Sequence, residues 1–168
     1  MTENIEIERK FIIAIPDIHL MAEMNGYRAD KITQTYLCSP HGITHRVRKR
    51  ITNGIARYTE TKKVRISGMS AYEDEREISY EEYLALLCRR DPMCVDIIKT
   101  RHVFTYGEIT VEIDIYPAWK TSCIMEIELD SENEEISLPP FIRVIREVTG
   151  SSAYSNASMA RSFPEESV

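Results

Sequence analysis

Like charges spaced two apart recur through the chain: Glu6 and Glu8, Arg46 and Arg48, Glu73 and Glu75, Lys99 and Arg101, Glu112 and Asp114, Glu126 and Glu128. In four of these six pairs the residue between is Ile or Val. Successive side chains of a strand point to opposite faces, so each pair stacks two like charges on one face. Such neighbours repel. A hard divalent cation between carboxylates would relieve the repulsion, and so would a polyanion between guanidinium and ammonium groups. The chemistry open to such a set is to hold an anionic, metal-chelating ligand and to offset charge that shifts within it.

For the pairs to face one another, strands must surround a common space. Alternating or β-rich runs fall at about 4–13, 32–38, 43–51, 55–66, 73–79, 96–106, 109–117 and 122–130, which predicts about eight strands. Gly42, Asn53-Gly54, Gly68 and Gly107 lie between neighbouring runs, as hairpins require, so the sheet is antiparallel. A half-solvated sheet also alternates, and any one strand fits that reading. Its polar face, however, would be Thr, Ser and Gln rather than segregated acids and bases. If the strands close into a barrel, the ionic faces line its interior and the apolar faces look outward, needing helices to cover them. Helices are predicted over 79–90, 131–138 and 140–149, with a short one within 17–25. Ser79 and Glu82 have capping-box spacing, as do Ser131 and Glu134. Pro140 opens the 140–149 segment and Gly150 follows it.

The 168 residues fit a single domain, 1–168, with 162–168 expected as a loose tail. Lys and Arg total 21 against 27 Asp and Glu, a net charge of −6. That balance disfavours broad contact with nucleic acid or an anionic membrane. No window is apolar enough for a membrane span, and the charged start MTENIEIERKF lacks a signal-peptide core. Cys38, Cys88, Cys94 and Cys123 form neither a C-x-x-C pair nor a zinc-like spacing, and read as free thiols in a reducing cytoplasm.

The ordered set of pairs resembles the CYTH family, the triphosphate tunnel metalloenzymes. Glu6-Ile7-Glu8-Arg9-Lys10 is similar to the family's E-x-E-x-K signature. Gln34 and Tyr36, Arg46-x-Arg48, Tyr58-x-x-Thr61-x-Lys63, Glu73-x-Glu75, Lys99-x-Arg101, Glu112-x-Asp114 and Glu126-x-Glu128 follow in family order. Val148, Thr149, Tyr154, Ser155 and Asn156 match its late stretch, and the opening and ending look like the compact bacterial branch with inorganic triphosphatases.

The resemblance implies a mainly antiparallel α+β chain, an eight-stranded antiparallel β-barrel with a few covering helices. It implies a metal-dependent triphosphatase of the cytoplasm, monomer or homodimer. Lys10, Arg46, Arg48, Lys63, Lys99 and Arg101 would hold a small triphosphate, with Glu73, Glu75 and Tyr36 beside it. Glu6, Glu8, Glu112, Asp114, Glu126 and Glu128 would hold Mg²⁺ or Mn²⁺. Glu6, Glu8, Lys10, Arg48 and Lys99 would carry the catalysis. The six bases and eight acids leave this interior at −2, and two divalent cations would bring it to +2, so binding is expected to depend on metal. The family often carries Arg where this chain has Ala71; Arg65 or Arg76 is a possible substitute, and a slip of one residue would exchange Lys63 for Lys62.

His19, His41, His45 and His102 read as structural or surface residues, and Trp119 as core or lid. Ser155-Asn156 reads as the cap of a terminal helix. The competing functions are an adenylate cyclase or thiamine triphosphatase of the same family, a non-catalytic polyphosphate-binding module, and a lipocalin-like barrel, the last opposed by the ionic interior.

Overall fold

The computed structural model describes residues 5–166. Among them run nine strands: β1 (Ile5–Ala14), β2 (Asn25–Tyr36), β3 (Thr44–Thr52), β4 (Ile55–Arg65), β5 (Ser70–Ile78), β6 (Ile97–Tyr106), β7 (Ile109–Ile115), β8 (Ser122–Glu128) and β9 (Val144–Glu147). Three short helices accompany them: α1 (Ile18–Ala22), α2 (Tyr80–Leu87) and α3 (Asn156–Arg161). The strands pair in the order β5-β4-β3-β2-β6-β7-β8-β1, and β1 pairs back with β5, which closes an eight-stranded antiparallel barrel. The β3–β4 hairpin turns on Asn53 and Gly54, at φ 49° and 79°; a two-residue turn with both residues in the left-handed region matches the twist of the strands.

The closure is divided along β1. One edge of β1 pairs with β8 through Glu8–Ala14. The other edge pairs with β5 only at Ile5–Ile7 and with β9 only at Phe11–Ile13. Single bonds bridge the interval: Glu8 N donates to Met69 O at 3.1 Å and Lys10 N donates to Thr149 Oγ1 at 3.0 Å. Here the turn before β5 crosses the turn after β9. Gly150 sits at φ +72°, and a Cβ on it would lie 3.0 Å from Gly68 Cα, so the crossing needs glycine.

Alternation puts the apolar residues of most strands outside. Phe11, Ile13, Phe104, Val111, Ile113, Met125 and Ile127 form one buried sheet face, covered by Met21 of α1 and by Ile136, Leu138, Phe141 and Ile142. Leu37, Val47 and Ile78 are covered by Tyr83 of α2. Helix α2 is the predicted one, with Ser79 and Glu82 closing a full capping box. Burying this much apolar surface is the main stabilising term, roughly 1.5–3 kcal/mol for each large side chain.

Two predicted helices are absent. Residues 131–138 form turns and irregular backbone. The Glu134 side chain does fold back, accepting from Asp130 N at 2.7 Å, but Pro139-Pro140 forces the preceding residues toward extended backbone, and the core holds Ile136 and Leu138. Residues 140–149 form a turn and then β9. The uncovered edge of β1 at Phe11–Ile13 supplies backbone partners, and Arg9 locks the pairing with a bidentate bond to Glu147 at 2.8 and 2.9 Å. Strand β2 also starts at Asn25, seven residues before the predicted 32.

Part of the expected tail carries contacts. Phe163 packs on Tyr116 and Trp119, and Glu166 accepts hydrogen bonds from the backbone of Lys120, Thr121 and Ser122. Residues 167–168, like 1–4, lie outside the described residues.

Candidate active site

The inward faces differ along the barrel. At one end Ile97, Ile124, Tyr36 and Tyr116 meet Met159 and Ala160 of α3 over Trp119, and this apolar plug closes part of the opening. Ser155 caps α3, its side chain accepting from Ser158 N. Beyond the plug lies a cavity of about 510 Å³.

Thirteen predicted site residues line it: Glu6, Glu8 and Lys10 from β1, Tyr36 from β2, Arg46 and Arg48 from β3, Lys63 from β4, Glu73 and Glu75 from β5, Arg101 from β6, Glu112 from β7, and Glu126 and Glu128 from β8. The register places Lys63 inside and leaves Lys62 exposed. Lys99 and Asp114 are absent from the lining. Both side chains are fully buried beneath it, Lys99 Nζ lying 2.5 Å from Asp114 Oδ2. Asp114 also accepts twice from Arg101, at 2.7 Å each. Of the two acids of the Glu112–Asp114 pair, Glu112 faces the cavity and also meets Arg101.

Other pairs cross the space. Lys63 Nζ sits 2.6 Å from Glu6 and 3.2 Å from Glu73, and Lys10 Nζ sits 3.1 Å from Glu126. Arg48 donates from Nε to Gln34 Oε1 at 3.1 Å, but its nearest carboxylate, Glu75, is 3.9 Å away. Arg46 Nε is buried without a hydrogen-bond partner among the described residues.

The electrostatics divide the cavity. Burial, with Arg46 and Arg101 nearby, brings the Arg48 guanidinium down to about 9. Burial, with Arg101 adjacent, brings Lys99 down to about 8. Both stay charged at neutral pH; burial is the larger cause, and the neighbouring guanidinium groups add to it. On the facing strands the reverse holds. Burial, reinforced by Glu126, raises Glu8; burial, reinforced by Glu126 and Asp114, raises Glu112; burial, reinforced by Glu112 and Glu6, raises Glu128. Glu126 differs: burial pushes it up, but Lys10, Arg101 and Lys99 outweigh that and hold it well below the carboxylate range.

A metal can be tested against this donor set. Among the described residues, no three of His, Cys, Asp and Glu converge as a metal held by protein alone would need. Magnesium-type sites commonly use one or two carboxylates and complete the shell with phosphate oxygens and water. The all-oxygen set of Glu8, Glu112 and Glu128, each raised by burial and by neighbouring acids, fits that kind of site.

The histidines stay out of the cavity. His45 bonds Glu60 at 2.8 Å on the outer face, His102 bonds Tyr27 at 3.0 Å, and His19 and His41 are exposed. The four cysteines are free. Sequence reasoning missed Arg50 as a lining residue, although it extends the alternation of Arg46 and Arg48. It also missed the backbone and hydroxyl groups of Ser152 and Ser158, which have no pattern of their own.

The barrel is closed and antiparallel, and acidic and basic side chains share its inner face. The chain belongs to the CYTH domain family, whose model matches residues 4–163. It is similar to the solved structure of the inorganic triphosphatase NE1496: 27% identity, 95% of this chain and 96% of that one covered, TM-score 0.59. It shares its fold with the PH1819 protein from Pyrococcus horikoshii OT3, at 20% identity, 76% and 80% coverage and TM-score 0.59. A putative adenylate cyclase from Vibrio parahaemolyticus shares it too, at 12% identity, 75% and 78% coverage and TM-score 0.52. No curated protein matches the chain. Among the described residues, no helix is long and apolar enough to cross a membrane.

Proposed function

We propose that the protein hydrolyses a phosphoanhydride bond of a small triphosphate, inorganic tripolyphosphate first, with Mg²⁺ or Mn²⁺. The observation that carries this is one cavity with a lowered Arg48 beside the unpartnered Arg46 Nε on one side and the raised carboxyls Glu8, Glu112 and Glu128 on the other. A bare anion would satisfy one side and a bare cation the other; a metal–triphosphate complex satisfies both. The likeness to a solved inorganic triphosphatase supports the same reading.

In this mechanism Arg46 and Arg48 donate to the phosphate oxygens, with the unpartnered Arg46 Nε among the donors. Lys10 and Arg101 line the same space and offset charge on the bridging oxygen as the P–O bond breaks. Lys99 acts from beneath, its ammonium held by Asp114. Glu8, Glu112 and Glu128 would hold the metal, with Glu6 and Glu126 alongside. When bound, the metal supplies charge neutralisation and a water of lowered pKa. Water attacks the terminal phosphorus, and orthophosphate and pyrophosphate leave.

The cavity favours an inorganic chain over a nucleotide. Its only aromatic lining residue among those described is Tyr36, which is 5% exposed and packed in the plug, so no free ring face is offered to a base. The test is incubation of the pure protein with tripolyphosphate, thiamine triphosphate and ATP, each with Mg²⁺, Mn²⁺ or EDTA. Orthophosphate and pyrophosphate from tripolyphosphate, lost in EDTA, are expected. Cyclic AMP from ATP, or no product from any substrate, would overturn the assignment.

A further inference from the structure

Seven bases line the cavity, and six have a carboxylate within ion-pair distance: Lys10, Arg46, Arg48, Arg50, Lys63 and Arg101. The seventh, Arg65, has none among the described residues. It is the last residue of β4, and its register partner on β5 is Ala71, which offers no charge. Its Nη1 donates to Ser67 O at 3.3 Å and Gly68 O at 3.1 Å. The guanidinium is therefore oriented by turn backbone, and its other N–H groups have no acceptor among the described residues.

Its place in the cavity gives this a function. Arg65 stands where the β4–β5 turn meets the segment after β9, beside Ser151 and Ser155. A second opening is lined by Ile5, Glu6, Glu73 and Glu75. A polyanion approaching that mouth meets three carboxylates. At Arg65 it meets a cation without an ion-pair partner among the described residues, in a recess also lined by Lys10, Glu8, Thr149 and Ser151. At Lys10, Lys63 or Arg101 a phosphate oxygen must compete with Glu126, Glu6 or Asp114; at Arg65 it displaces nothing. Single-sign charge at a cleft mouth raises the local concentration of the opposite ion and guides it inward.

We propose that Arg65 is a substrate-binding residue at the basic mouth of the cavity, where it receives the free terminal phosphate of an inorganic polyphosphate chain. This rests on the triphosphate reading of the same cavity. The ligand class follows from the surroundings, which offer guanidinium N–H and the Ser151 hydroxyl to phosphate oxygens. Arg76, the other candidate to replace the charge absent at Ala71, lies on the outer face, bonded to Glu60 and Glu82.

The experiment compares wild type, Arg65→Gln, Arg65→Lys and Arg57→Gln. Arg57 is an exposed strand-mate paired with Glu77 outside the cavity lining, so it controls for net charge. Tripolyphosphate binding is measured by the rise in Tm on adding it with Mn²⁺, and turnover with Mn²⁺ in parallel. Losing a hydrogen bond to a charged group corresponds to about a tenfold to hundredfold change in affinity. Arg65→Gln is expected to weaken tripolyphosphate binding and raise KM by about tenfold with kcat within twofold, because the contact forms before the chemical step. Arg65→Lys should fall between, keeping the charge without the fork, and Arg57→Gln should match wild type. Wild-type affinity in Arg65→Gln, or an equal loss in Arg57→Gln, would overturn the role of Arg65 alone. A wild-type protein that neither binds nor cleaves tripolyphosphate would overturn the functional reading and Arg65's role with it.

Discussion

The same three strands carry two ionic networks, one on each face of the barrel wall. Outside, His45 of β3, Glu60 of β4, Arg76 of β5 and Glu82 of α2 form a chain of bonds of 2.8, 2.7 and 3.1 Å. Inside, Arg46 and Arg48, Lys63, Glu73 and Glu75 come from the neighbouring positions. The outer network is balanced: burial alone would raise Glu60, but its bonds from His45 and Arg76 lower it, and the bond to Glu82 raises Arg76. Inside, Arg46, Lys63 and Glu73 complete one another in the same way, but Arg48 is lowered, and across the cavity Glu8 is raised. Charges that alternate in sign along a bonded chain complete one another and stabilise the fold. Arg48 and Glu8, across the cavity from each other, stay incomplete until a ligand of mixed charge arrives.

This contrast can be broken in several ways. Arg48→Ala and Glu8→Gln are each expected to cost ~10²–10³ in turnover of tripolyphosphate while far-UV circular dichroism stays that of the barrel. If Glu60→Gln cost as much activity at intact fold, the division between the two faces would be wrong. Mn²⁺ and tripolyphosphate together should raise Tm by several degrees. Ligand at a hundredfold excess over Kd contributes about 2.7 kcal/mol. Each alone should do much less, and equal shifts for tripolyphosphate with and without metal would contradict the need for a ligand of mixed charge.

Glu60→Gln should cost about 1–3 kcal/mol in chemical denaturation, because His45 loses a charged partner in a buried site, with kcat unchanged. Ser79→Ala, which removes the α2 cap beside this network, should cost ~1 kcal/mol and leave both kcat and KM alone. A kinetic effect of Ser79→Ala would show that the outer face is coupled to the cavity.

The eight barrel strands and their charged faces were legible because alternation is a local property, and like-charge pairs mark the inner face on every strand that carries them. What was not legible depends on the partner. The stretch 140–149 has helix-like stops in Pro140 and Gly150, yet the open edge of β1 makes Val144–Glu147 a strand. Glu112 and Asp114 are equivalent in sequence, yet the tilt of the barrel puts one on the cavity and the other beneath Lys99 and Arg101. Lys62 and Lys63 were separable only by register with β3 and β5. Arg65 stood out only once every other lining base had its acid.

The divided seam of β1 also orders the making of the molecule. The residues that carry Glu6, Glu8 and Lys10 are near the start of the sequence, but their pairing partners lie at 70–72, 122–128 and 144–147. On a ribosome, β1 therefore emerges with neither edge satisfied, and the edge that pairs with β8 waits while more than a hundred further residues are made. Long-range strand pairing of this kind folds slowly, on the scale of milliseconds to seconds, and exposes unpaired edges meanwhile. The cavity is thus among the last parts of the molecule to exist. A chain cut before residue 144 would keep most of its hairpins but leave the edge of β1 at Phe11–Ile13 without a partner.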